Sequence, residues 1–361
     1  MSSVWGKNIH ISIFGESHGT AIGVVVDGLP AGIALDEEEI GREMARRVPR
    51  KAVFSTARRE SDHVEILSGF FNGKTTGSPL AALIRNQDAK SRDYENLMRL
   101  PRPGHADYVA AIKYKGFADM RGGGHFSGRI TAPLVFAGAV AKKYLGQSGI
   151  RIGAHIAQIG KVTDNRFGIQ IESEQLDELY QSDFPLLNKE KREPIEEEIR
   201  AAAAEKDSIG GMVECAAIGI PVGLGEPMMD TVESKIASIL FAVPAIKGVE
   251  FGSGFTMGSM RGSEANDAIT GDGEAIRCKT NHNGGITGGI TNGMPIIVRA
   301  VVKPTPSIAR PQETIDLVSG GDAILEIKGR HDSCIVPRAL SVIEAAMAIA
   351  LMDLKMEEGI R

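Results

Sequence analysis

Aromatic side chains are scarce in this chain, with one Trp and five Tyr among 361 residues and a combined Phe, Trp and Tyr content of 5%. An excess of positive charge is missing as well: 46 acidic residues oppose 41 basic ones, for a formal net charge of −5. A general nucleic-acid binder needs a basic field and stacking platforms, so both shortages argue against nucleic-acid partners. Cysteine is rarer still, with Cys215, Cys278 and Cys334 far apart and no Cys-x-x-Cys pair. A disulfide framework and a thiolate zinc site are therefore not expected, and a reducing cytoplasm is. Long apolar runs are absent: Met1 to His10 has no hydrophobic stretch, and the apolar C-terminal segment is interrupted by Glu344 and Asp353. No signal peptide, span or other membrane association is expected.

What is abundant is glycine, with 43 residues gathered in short clusters rather than spread as a linker would require. The 42% hydrophobic content of 361 residues is enough for a sizeable core. Ile9–Phe14 and Ile22–Val26 read as strands joined by Gly15-Glu16-Ser17-His18-Gly19. Asp36 with Glu39 forms an acidic capping box, and Ile40, Met44 and Val48 follow at helical spacing until Pro49, which puts Arg46 and Arg47 in the last turn. Val64–Leu67, Leu80–Ile84, Met212–Ile218 and Pro295–Val302 read as further strands. A Gly-rich loop, Arg121 to Arg129, feeds a helix from about Thr131 to Tyr144, and Ile335 to Met356 has the spacing of a long C-terminal helix. Residues 171 to 206 are charged and predict one or two exposed helices outside the core. Strands and helices alternate without a βαβ rhythm, so the expected class is α+β in a single domain spanning 1–361.

Two motifs fail on spacing. Gly69 to Thr75 is one residue short of a phosphate-binding P-loop, and Gly122 to Gly128 has Ser127 where a dinucleotide fingerprint needs its third glycine. Neither Cys278 with His282 nor His331 with Cys334 has the convergent ligands of a metal centre, so none is predicted. Four Gly-flanked segments remain: the loop holding His18, Arg102-Pro103-Gly104-His105-Ala106-Asp107, Arg121 to Arg129, and Gly329-Arg330-His331-Asp332. Such loops bring backbone N–H groups and guanidinium forks to a flat or anionic ligand, while imidazoles move protons near neutral pH. A lone loop histidine is more often structural, so each segment by itself is weak; together they point to a site.

These blocks, with Lys303-Pro304-Thr305-Pro306-Ser307 and Gly223-Leu224-Gly225-Glu226-Pro227, resemble in order and spacing the signatures of the chorismate synthase family, from about Trp5 to Asp353. The resemblance implies a β-α-β sandwich, not a Rossmann fold, assembled as a homotetramer. It implies 1,4-elimination of phosphate from 5-enolpyruvylshikimate 3-phosphate with reduced FMN, and chorismate as product. His18 would protonate the leaving phosphate, His105 would steady the reduced flavin near N1, and Asp332 would relay the substrate proton taken up at N5. The implied flavin contacts are His125, Phe126, Ser127, Ala245, Gly288, Lys303, Pro304, Thr305, Pro306, Ser307 and Arg330. Arg47 matches a position linked to nicotinamide or substrate, and Arg46, Arg47, Arg129 and Arg338 are candidates for the substrate's phosphate and carboxylates. An external flavin reductase is the expected partner, with NADPH as the indirect electron source.

The chain departs from the commoner family pattern at three places. His125-Phe126-Ser127-Gly128 stands where Arg-Ser-Ser-Ala is usual, Val53 where Arg is frequent, and Pro306 where Ser is frequent. The alternatives are a non-catalytic FMN-binding redox protein, which has no use for His18, His105 and Asp332 together, and an anion- or RNA-binding scaffold, which the charge balance disfavours.

Overall fold

The computed structural model describes residues 3–48, 62–86, 99–271, 276–327 and 332–358. Two five-stranded antiparallel sheets enclose a layer of helices. The first sheet has the strand order Val4–Trp5, His10–Gly15, Ala21–Asp27, Leu80–Arg85, Val64–Ser68, and the second Ile246–Phe251, Ile296–Val302, Gly211–Ile218, Arg151–Ile159, Val162–Thr163. Between them lie the helices Thr131–Gly146 and Val336–Glu358, which pack on each other; the first also meets the sheet of Ala21–Asp27 and the second the sheet of Gly211–Ile218. Among the described residues this is an α+β layered architecture with a single main core cluster drawn from both sheets and the helix layer.

The burial pattern explains the layering. In the first sheet Ile22, Val24 and Val26, and Leu80, Ala82 and Ile84, are buried at alternate positions, so one face meets the helices. The two central helices have no polar face to offer water: Thr131 to Ala141 and Leu340 to Leu354 are buried all round. Their close approach depends on Gly138, where an added Cβ would overlap Ala345 of the facing helix. The second sheet is buried on both faces from Val213 to Ala217 and from Ile296 to Ala300. Its outer face carries a satellite cluster of Ile171, Leu176, Leu179, Ala216 and Ile297.

That cluster places the charged stretch. It forms two helices, Ser173–Gln181 and Arg192–Ala204, whose charged sides face water while Leu176, Leu179, Ile195 and Ile199 are buried. The first helix of the chain is Glu37–Arg47, and Asp36 accepts from the N–H groups of Glu38 and Glu39 at 2.8 and 3.3 Å. The other half of the expected capping box is not made, because the Glu39 carboxylate is bonded to Lys143 instead. Pro49 lies outside the described residues. The P-loop look-alike is a hairpin: Phe70–Phe71 pairs with Lys74–Thr75 across Asn72 and Gly73, both at positive φ (48° and 75°), as a two-residue turn of this kind requires. No described helix is long and apolar enough to cross a membrane.

Candidate active site

The site is assembled from loops at the ends of these elements. Arg121 to Gly124 is a tight turn in which Gly122, Gly123 and Gly124 all have positive φ (60°, 89° and 54°). A side chain there is excluded by what surrounds it. A Cβ on Gly122 would overlap Nδ1 and Cε1 of His18, and a Cβ on Gly123 would come within 3.2 Å of Nε2 of His105. The two histidines, 87 positions apart in sequence, thus stand against consecutive glycines of one turn. The Ser17 N–H donates to the Gly124 carbonyl at 3.1 Å, which fixes the His18 loop to the same turn. His18 is buried, with Nδ1 3.3 Å from Ser17 Oγ.

His105 is held from its other side. Its Nδ1 is 2.7 Å from Oδ1 of Asp107, whose carboxylate also accepts from Nε and Nη2 of Arg102 at 2.7 and 2.8 Å and from the Arg102 backbone N–H at 3.0 Å. Burial opposes ionisation of Asp107, but the hydrogen bonds from Arg102 and His105 outweigh it and hold the carboxyl far below its ordinary range. Arg102 Nη1 reaches Ser307 Oγ at 3.1 Å, and Lys303 Nζ donates to the Gly104 carbonyl. The Lys303 N–H in turn donates to the Ala245 carbonyl at 2.9 Å, and Ala245 itself sits at φ 74°. A Cβ on Gly104 would touch Pro306, and Pro304 packs against Gly210.

From there the contacts run on. Thr305 Oγ1 donates to the backbone carbonyl of Asp332 at 3.2 Å. The Asp332 carboxylate accepts from Arg338 Nη1 at 2.5 Å, and Arg338 Nε donates to the Arg47 carbonyl at 3.3 Å. Arg47 binds Oδ2 of Asp62 through Nε and Nη2 at 3.0 and 2.5 Å, while Arg129 binds the other oxygen. Arg129 Nε donates to Asn86 Oδ1 at 3.1 Å, and Asn86 Nδ2 donates to the carbonyls of Glu16 and Gly19 at 3.0 and 2.8 Å. The chain of contacts that left His18 through Gly122 therefore returns to it. On this side of the ring the guanidiniums of Arg47, Arg129 and Arg338 face the carboxylates of Asp62 and Asp332. Burial, opposed by Asp62 and reinforced by Arg338 and Arg129, pulls the Arg47 pKa below its ordinary value.

Not every residue singled out in the sequence is brought to the ring. Arg46, the neighbour of Arg47, points to the other side of its helix, into a buried cluster where it binds Glu344 with Nη1 and Nη2 at 2.5 and 2.7 Å beneath the ring of Tyr180. His125 has both ring nitrogens engaged: Nδ1 donates to the Gly15 carbonyl at 2.7 Å, and Nε2 is 2.6 Å from Ser3 Oγ. Phe126 packs near Tyr114 with ring centroids 6.3 Å apart. Ser127 caps the short turn ahead of the Thr131 helix by accepting from the Arg129 N–H at 3.3 Å. Gly288 lies in the tight connection between Ile286–Thr287 and Ile290–Thr291, a hairpin that packs against Leu224 and Thr231. Arg330, His331 and Val53 lie outside the described residues. Asp62, Asn86, Arg102 and Asp107 are the site residues to which sequence reasoning gave no role. For Arg102 and Asp107 the signal was present, since they flank His105 within one hexapeptide.

A family model described as chorismate synthase matches residues 9–356. A chorismate synthase of Korarchaeum cryptofilum is 47% identical over 354 residues, covering 97% of this chain and 96% of its own. One from Thermococcus gammatolerans is 49% identical, covering 96% of each, and one from Dehalococcoides mccartyi is 46% identical over all of this chain and 98% of its own. A crystal structure of chorismate synthase superposes with a TM-score of 0.77 at 32% identity, covering 98% of this chain and 93% of that one. With a ring of loops that gathers the blocks marked out in the sequence and relatives matched along nearly their whole length, the chain belongs to the chorismate synthase family, lyases of aromatic amino-acid biosynthesis.

Proposed function

We propose that the chain converts 5-enolpyruvylshikimate 3-phosphate to chorismate and phosphate by 1,4-elimination, with reduced FMN bound beside the substrate. The observation that carries this reading is the closed ring of contacts, which collects His18, His105, Asp332, Arg47, Arg129 and Arg338 from separated loops and helix ends into one site that includes the glycine turn. A trianionic substrate calls for several cations, and Arg47, Arg129 and Arg338 supply them with their orientation already set by Asp62 and Asp332. His18, backed by Gly122 and Ser17, is the group that protonates the departing phosphate. Asp332, fixed by Arg338, is the acceptor for the proton the substrate loses.

The residues fit a flavin. Gly104, Pro306 and Ser307 offer small residues beside His105, and Lys303 a cation, for a planar anionic ring to lie against, while His105 can steady its negative charge. Ala245 and Lys303 to Ser307 continue the same wall, while Ser127, Phe126 and Gly288 belong to its margins. Reduced FMN, when bound, lends electron density transiently and so assists departure of the phosphate. With no dinucleotide motif in the chain, an external reductase draws on NADPH to supply it. Phe117, Phe255, Met228 and Met229 stand exposed, which is compatible with the homotetramer that the family resemblance implies, and the scattered cysteines are compatible with a cytoplasmic location.

Titration of the protein with reduced FMN, with and without substrate, tests this reading. Tighter flavin binding in the presence of substrate is expected, because both ligands order the same loops. Equal affinity in the two titrations contradicts a shared site.

A further inference from the structure

The pair Arg102 and Asp107 has no role in the chemistry described so far, yet both side chains are buried and both converge on one imidazole. We propose that Asp107 is a positioning residue for His105: it holds the Nδ1 proton, presents Nε2 to the glycine turn, and is itself restrained by Arg102. The inference rests on the reading of His105 as the residue that steadies the flavin.

The argument begins with valence. Nδ1 of His105 lies 2.7 Å from Asp107 Oδ1, and the carboxyl is ionised because Arg102 donates to both its oxygens, at 2.7 and 2.8 Å. An ionised carboxylate can only accept, so the proton between them resides on Nδ1. Neutral His105 is thereby fixed with its lone pair on Nε2, the atom that a Cβ on Gly123 would approach to 3.2 Å, so a proton taken up by the ring lands there and makes Nε2 the donor that steadies negative charge. Without the carboxylate, either tautomer is open to the ring, and half of the orientations place a lone pair on the wrong nitrogen.

Arg102 acts in the opposite sense. Its Nη2 is 3.1 Å from His105 Nδ1, too close to a second donor to be a favourable contact with an imidazolium. It also takes part of the Asp107 charge through three hydrogen bonds. Among the described residues Lys303, bonded to the Gly104 carbonyl, is a further charged group brought to this loop, and its charge likewise disfavours a second positive charge on His105. The carboxylate favours a positive charge on His105, and Arg102 and Lys303 oppose it.

Opposite substitutions must then move His105 in opposite directions. Deuterium exchange at the imidazole Cε1, read by mass spectrometry as a function of pH, gives the pKa of each histidine in the intact protein without flavin or substrate. Asp107→Asn is expected to lower that of His105 by about one unit or more, and Arg102→Gln to raise it by a similar amount, the range for loss of one charge within ~4–6 Å. His18 serves as the internal control and should keep its value in both variants. Asp107→Asn should also reduce kcat by about 10²-fold with KM for substrate little changed, as expected for loss of an oriented proton-transfer group. A merely structural pair would shift both histidines together, or neither, and either result overturns the inference. An unshifted His105 in Asp107→Asn alongside an inactive His105→Ala overturns the positioning role while leaving the reading of His105 intact. Full activity of His105→Ala overturns the reading, and the positioning role with it.

Discussion

At the scale of single residues, the three groups proposed to handle protons, His18, His105 and Asp332, occupy different parts of the ring and should fail differently when replaced. His18→Ala is expected to lose ~10²–10⁴-fold in turnover with flavin affinity kept, because it stands against Gly122 and Ser17 while the proposed flavin wall is built around Lys303. His105→Ala should also change the absorbance of bound reduced flavin. Asp332→Asn should bind both ligands and stall with unreacted substrate. Anaerobic stopped-flow absorbance, following flavin and product together, separates the three; turnover of both histidine variants within about threefold of the parent would contradict the proton-transfer roles. Gly122→Ala makes the same point without touching a titratable group. Its Cβ has to displace His18, and displacement of a catalytic group by about 1 Å costs ~10²-fold. Gly128→Ala, at a position where an added Cβ meets nothing, should keep most of the activity in the same assay. These residues were legible in the sequence as histidines and arginines in Gly-flanked loops. Which of them meet was not, because Gly122 against His18 and Asp62 between Arg47 and Arg129 are contacts across long loop closures that no local pattern encodes.

Elements are held together by two features of the helix layer. Gly138 lets the Thr131–Gly146 helix approach Ala345 of the C-terminal helix, so Gly138→Val should overpack that contact and cost about 1–3 kcal/mol or more, measured as a lowered urea midpoint with unchanged slope. An activity loss with full stability would contradict this assignment. Glu344 is the other feature. Its carboxylate is buried among Arg46 and Lys142, with Lys142 Nζ 2.6 Å from Oε2 and the Ala154 N–H donating at 3.0 Å to Oε1. Burial alone would raise its pKa, but the two cations overcome that and bring it down to about 2 from an ordinary 4.5. A group with its folded pKa depressed contributes stability that is fully present above its unfolded value and lost as pH falls toward the folded one. Stability supplied by this cluster should accordingly fade between about pH 4.5 and 2. Glu344→Gln should lose about 3–5 kcal/mol at neutral pH and show less of that acid dependence, by denaturant unfolding at a series of pH values. Here lies the reason Arg46 looked like a ligand residue in sequence: two adjacent arginines are indistinguishable until the helix turns one toward Asp62 and the other toward Glu344. The Leu80–Arg85 strand was readable as a short apolar run, though which of its faces is buried was not. Arg151–Ile159 was not, since burial of both faces leaves no period and His155 interrupts the apolar run, paired with Glu214 at 3.0 Å.

For the whole molecule, the helix layer shared by the two sheets predicts unfolding in one transition, and the ring of contacts joins the His18 loop between two strands of the first sheet to Lys303 at the end of a strand of the second. The site is thus a product of the complete sandwich. The absence of a dinucleotide fingerprint sets a second expectation at this scale: NADPH with oxidised FMN should yield little product without a reductase, and full anaerobic turnover from NADPH alone would show the protein to be bifunctional. The central claim is the phosphate elimination itself, and it is tested most directly by incubating purified protein anaerobically with chemically reduced FMN and 5-enolpyruvylshikimate 3-phosphate while phosphate, chorismate and flavin absorbance are recorded. Phosphate and chorismate should appear in equal amounts over many turnovers with the flavin still reduced at the end. Absence of phosphate release under these conditions, or oxidation of one flavin for each product formed, would contradict the account.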